Sequence, residues 1–187
     1  MITNKYAKDY RLENVVNEKG KTVTKPVYVG KYYVFERPQE EVMAGRKLML
    51  ISAIVSAASL MIGMGFYNNT GFTSQYYTSA PFMLCAFPLL YFCMAVYSLM
   101  TFKDKCTREK KDHTDDRIAK CSFVGMLLSA ANISGIIVAS VLKLTGAESR
   151  PLTYNDIIYI IASVVLFASF FTAFKNKKKI EMKETEE

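Results

Sequence analysis

The sequence predicts an all-α membrane protein: a four-transmembrane-helix bundle with a small β-hairpin-like cytoplasmic N-terminal segment. Three features point there. Four long runs carry no charged residue, the lysines and arginines outside them are unevenly placed, and the first 37 residues change to a strand-like pattern. The runs are 48–67, 82–102, 121–142 and 157–174, each of 18 to 22 residues. A helix rising about 1.5 Å per residue needs roughly 20 residues to cross about 30 Å of hydrocarbon. A soluble bundle would require a polar outer face on each helix, and none of the four runs has one.

The last run is the shortest, yet it holds eleven Ile, Val, Leu or Phe residues. At about −0.3 to −0.6 kcal/mol each on the insertion scale, these sum to on the order of −5 kcal/mol, so the segment should insert.

Orientation follows from the basic residues. Ten Lys and Arg fall in 1–47, seven in 103–120 and five in 175–187, whereas 68–81 has none and the second short loop has only Lys143 and Arg150. Basic residues near span ends are retained on the cytoplasmic side, so both termini and the central loop are expected inside. The formal charge of +7 is a by-product of this rule and not a nucleic-acid signature. A long polar segment before the first run argues against a cleavable signal peptide. Cys85, Cys93, Cys106 and Cys121 all fall in spans or on the inner side, so no structural disulfide is expected. The excess of lysine over arginine and the lack of tryptophan suit an AT-rich bacterial genome, and hence a bacterial cell membrane.

Three regions result: a segment of short strands (1–37), a membrane domain (38–174), and a basic-then-acidic tail (175–187). In the first, Arg11 to Val16 and Thr22 to Val29 are rich in Val and Thr and flank a polar, glycine-containing turn, a hairpin pattern. Pro26 restricts its strand to an edge or bulge, and Lys31 to Glu36 offers a third strand. So few residues cannot enclose Tyr6, Tyr10, Tyr28, Tyr32, Tyr33 and Phe35, so these must pack on the membrane face, the central loop or a protein partner. Pro38, Glu40 and Glu41 suit a helix start, and Thr114 before Asp115 and Asp116 looks like the cap of the third membrane helix. Lys175, Lys177, Lys178 and Lys179 form a juxtamembrane cluster that would favour anionic lipid.

Two spans bear stripes of small residues. Ser52, Ser56, Ser59 and Gly63 share one helical face of the first span, and Ser122, Gly125, Ser129, Asn132 and Ala139 share one of the third. Small residues let helices approach closely in lipid and hydrogen-bond to each other, so these faces are expected to pack face to face; otherwise they line a polar path for a solute. Asn132 would pair with Ser56, Ser59 or Tyr91, since an unpaired amide in lipid costs a few kcal/mol. Pro88 removes one backbone bond and predicts a kink in the second span.

No run contains Asp, Glu, Lys, Arg or His, which argues against ion-coupled pumping. No nucleophile, phosphate-loop or zinc-protease motif is present, and His113 beside Asp112, Asp115 and Asp116 matches no common metal spacing. The expectation is a non-enzymatic accessory or scaffold component of a membrane complex, with no cofactor and no nucleic-acid partner. The alternative is a small-solute transporter or channel acting as a homo-oligomer.

Overall fold

The computed structural model describes residues 4–16, 22–66, 70–102, 105–145 and 152–185. It is mostly helical, with two small antiparallel sheets, and four of its helical stretches are long and apolar enough to cross a membrane. Helix α1 (Gln39–Gly65) follows Pro38 and carries Glu40 and Glu41 in its first turn, where acids complement the helix dipole. The second stretch is divided into α2 (Tyr76–Leu84) and α3 (Ala86–Met100). The third comprises α4 (Arg108–Lys111), a π-helical turn at Asp112–Asp116, and α5 (Arg117–Leu144). The fourth, α6 (Tyr154–Asn176), runs into a 3-10 turn at Lys177–Ile180.

Around the bundle, α1 lies between α6 and α3, while α5 packs on α6, α2 and α3. Helices α1 and α5 therefore stand on a diagonal, and the two small-residue stripes do not meet face to face as the sequence suggested. What fills the space between them is aromatic. Phe82 of α2 meets Tyr159 of α6 at 5.0 Å between ring centroids, and Phe92 of α3 meets Phe170 of α6 at 6.1 Å. A Cβ on Gly63 would overlap the Phe82 ring, and one on Gly125 would lie 2.6 Å from ring carbons of Phe170. The stripe glycines Gly63 and Gly125 are thus the seats of large rings from the neighbouring helices.

The break between α2 and α3 is at Cys85, in the turn before Pro88. Pro88 has no N–H for the carbonyl of Leu84, and Pro81 has none for that of Tyr77. On the other side, Gly135 of α5 packs directly on the Tyr77 carbonyl, where a Cβ would sit 2.6 Å from the oxygen. Only glycine permits that approach.

At the end bearing both termini, β1 (Tyr10–Val16) and β2 (Thr22–Tyr28) form the antiparallel hairpin, with Tyr10 opposite Tyr28 and Leu12 opposite Pro26. The expected turn at 17–21 lies outside the described residues. The third strand is β3 (Tyr33–Phe35), but it does not join the hairpin. It pairs antiparallel with β4 (Met182–Glu184) in the tail, and Tyr33 also exchanges backbone hydrogen bonds with Cys106 at 2.9 and 3.0 Å. Thr114 is not a helix cap. It is buried in the π-helical turn, where its hydroxyl lies 2.9 Å from that of Ser98, because the helix already starts at Arg108.

Candidate functional site

The interior of the bundle is more polar than its outside. Ser52, Ser56, Ser59, Ser122, Ser129, Asn132, Ser163 and Ser169 are all buried, while Ile51, Ile54, Leu90, Met94, Ile137 and Ile161 are exposed on the perimeter. Most of the serines satisfy themselves locally. Ser59, Ser122, Ser129 and Ser169 donate to carbonyls four residues earlier, at 2.7–2.9 Å. Such bonds hide the hydroxyl within its own helix and contribute nothing across helices. Ser56 and Ser163 hydroxyls and the Asn132 amide oxygen are buried with no acceptor or donor among the described residues.

Asn132 makes a direct polar link that joins three helices at the stripe on α5. Its Nδ2 donates to the Thr78 carbonyl of α2 at 2.8 Å and to the Tyr159 hydroxyl of α6 at 3.0 Å. The partners foreseen in the sequence, Ser56, Ser59 and Tyr91, are not used; Tyr91 faces outward with 53% exposure. The sequence had identified the inward face but not the neighbouring helices. Asn132→Ala should lower stability by about 1–3 kcal/mol, the cost of unpairing buried groups, and Asn132→Leu at least as much because its methyl groups abut the Thr78 carbonyl. Thermal melts of the detergent-solubilised protein check this, and two unchanged profiles would show the amide is not an interhelical link.

A second cluster was missed by the sequence reading. Lys143 closes the third apolar run and Asp156 precedes the fourth, and both are buried, with their charged groups 3.9 Å apart. Asp156 accepts hydrogen bonds from the Gly71 N–H at 2.8 Å, the Thr153 N–H at 2.8 Å and the Thr153 hydroxyl at 3.0 Å. With Thr153 it forms a capping box that starts α6. The Lys143 ammonium lies 4.4 Å from the Phe72 ring centroid. One carboxylate thereby fastens the 70–75 loop, the end of α5 and the start of α6. The sequence signal was there: Thr153-Tyr154-Asn155-Asp156 is a capping-box pattern directly before an apolar run.

The end bearing the termini is tied by a third cluster. Tyr6 is buried and, with Lys5, donates to Asp112 at 2.9 and 2.5 Å. The Tyr10 hydroxyl is 3.4 Å from the Glu109 carboxylate, and Tyr28 accepts from the Arg108 N–H at 3.1 Å. Asp115 accepts from the Met182 N–H at 3.3 Å, holding β4. Cys106 packs on Met182, and burial pushes its thiol up to about 11, which makes it an unreactive packing group. The aromatic side chains of the N-terminal segment are therefore largely engaged by their own chain. His113 is exposed, with Nδ1 2.6 Å from the Arg117 guanidinium. Among the described residues no three His, Cys, Asp or Glu side chains converge as metal ligands. Of the tail lysines, Lys175, Lys178 and Lys179 are exposed and Lys177 lies 4.4 Å over the Phe174 ring.

Comparison with family models, with curated proteins and with solved structures finds no match to this chain.

Proposed function

We propose that the protein is a non-enzymatic, multi-pass component of a cell membrane whose cytoplasmic cap scaffolds a protein partner. The charge distribution supports the orientation: twenty-two of the 24 basic residues lie outside the two short loops, on the side assigned to the cytoplasm. The observation that carries the scaffold reading is the exposed apolar surface along the hairpin strands. The base of the hairpin is tied to the central loop, but Leu12 is 71% exposed and Val23 38%, and among the described residues each strand of this sheet has an unpaired edge. A two-stranded ribbon whose strands have free edges and carry exposed apolar side chains accepts a further strand from another chain. This moves the partner site from the tyrosines to the exposed strands of the hairpin. The tail lysines would add attraction to anionic lipid.

The transport alternative rests on a different observation, the buried Ser56 and Ser163 hydroxyls and Asn132 oxygen without partners, which a passing polar solute would satisfy. Purification from native membranes in mild detergent separates the two readings. A stoichiometric foreign subunit, lost on Leu12→Glu with Val23→Glu, is the expected result; a homo-oligomer of this chain alone would sink the scaffold reading. Orientation is checked by single cysteines in a cysteine-free variant. Those at Thr73 or Ser149 should react with an impermeant reagent from outside, and those at Lys21, Thr107 or Lys179 should not.

A further inference from the structure

We propose that the cleft between β3 and the first turns of α1 binds the phosphate of an anionic glycerophospholipid, with Arg46 holding the phosphate. The cleft encloses about 250 Å³ and is lined by Phe35, Arg37, Val42, Met43, Arg46 and Phe102. Arg46 is fixed there in an unusual way. Its guanidinium lies 5.0 Å from the centroid of Phe35 and 5.9 Å from that of Phe102, and Nη2 donates to the Phe102 carbonyl at 3.2 Å. It makes no ion pair among the described residues, and its Nε–H is buried without an acceptor.

An arginine that is part-buried, held by two rings and left without a counter-charge is a fork awaiting an oxyanion. The stacking rings restrict the side chain, so little rotamer freedom is lost when the anion arrives. Arg37 adds positive charge at the rim, only loosely offset by Glu41 at 3.7 Å.

Two features favour a lipid over free phosphate. Arg46 sits just before the first apolar run begins at Leu48, where headgroups would lie. From the cleft, Met43, Leu50 and Ile54 continue along α1 at i, i+7 and i+11, one outward face, with 48%, 37% and 59% exposure. That strip is a bed for an acyl chain attached to the phosphate. Arg37 and Lys47 beside it disfavour a headgroup carrying its own cation, so the ligand is an anionic phosphodiester. The site is separate from the cavity at the tail lysines Lys177 and Lys178, whose lining already holds the carboxylates of Asp115, Asp116 and Glu181.

The inference rests on the membrane reading, and the test separates the two. Protein that leaves the membrane fraction on alkaline carbonate washing would overturn both. For the purified full chain in neutral detergent, dioctanoyl phosphatidylglycerol should raise the melting midpoint with concentration, whereas dioctanoylglycerol and inorganic phosphate should not. Arg46→Gln should weaken the apparent affinity at least about tenfold, and Arg46→Lys should recover only part of it, since charge-assisted fork bonds are lost in both. Replacing Lys175, Lys177, Lys178 and Lys179 by Gln should leave the response in place. Met43→Glu, on the exposed rim, should abolish it and keeps the test decisive if Arg46→Gln does not fold. A full response in Arg46→Gln or Met43→Glu, loss of response in the tail variant, or equal stabilisation by inorganic phosphate would each overturn the proposal.

Discussion

Asp156→Ala is expected to lower the stability of the solubilised protein by about 3–5 kcal/mol, because it strands a buried ammonium. The Lys143 side chain is only 8% exposed and that of Asp156 is fully buried. The same change removes the acceptor for the Gly71 and Thr153 N–H groups and dissolves the capping box of α6. Asp156→Asn should cost less, since its amide oxygen can still accept one of those bonds, but it leaves Lys143 uncompensated. Adding Lys143→Met to Asp156→Asn should then recover most of the loss, because two buried charges have been replaced by a neutral pair. Equilibrium unfolding in detergent of the wild type, Lys143→Met, Asp156→Asn and the double variant forms a double-mutant cycle. Additive losses would show that the two residues act independently and that no buried ion pair exists.

The second large effect is expected at Gly125. A methyl group there would sit 2.6 Å from carbons of the fully buried Phe170 ring, far inside van der Waals contact. The ring is backed by Phe92 across the core and has little room to retreat. Gly125→Ala should cost about 1–3 kcal/mol as an overpacking change, and Gly125→Leu more. Phe170→Leu should relieve part of that penalty in combination while being destabilising alone. Gly65 is the internal control. Nothing lies within 4 Å of its Cβ position, so Gly65→Ala should be neutral or stabilise by about 0.5–1 kcal/mol through helix propensity. Equal losses at Gly65 and Gly125 would mean that the Phe170 seat is not what makes Gly125 intolerant.

The parts of this fold that were legible in the sequence are those written locally. Apolar run length announces each long helix, and the Val- and Thr-rich segments around a polar turn announce the hairpin. Periodicity also assigned Ser56, Ser129 and Asn132 to single helical faces, which the structure turns inward. What periodicity cannot say is which helix stands opposite a face. The stripes were matched to each other because both are small, yet α1 and α5 are diagonal, and small residues complement large rings such as Phe82 and Phe170 rather than other small ones. The buried Lys143–Asp156 pair escaped for another reason. Each residue alone reads as a charge flanking an apolar run, and only the three-dimensional return of the 70–75 loop takes both out of solvent. Strand β4 was hidden because three residues amid lysines and glutamates have no pattern of their own, and its pairing with β3 is set by the distant partner.

That pairing has a consequence for the order in which the molecule is completed. Strand β3 precedes all four long helices, and its partner residues Met182–Glu184 follow them. Pairings this remote in sequence form late, since the closure of the intervening chain must come first. The β3–β4 sheet therefore closes after the helices, and Glu36, whose N–H is bonded to the Glu181 carbonyl, goes unclaimed until then. A chain ended just after α6 would still hold its helices, yet it would present the β4-facing edge of β3 bare, a visible mark of an unfinished molecule.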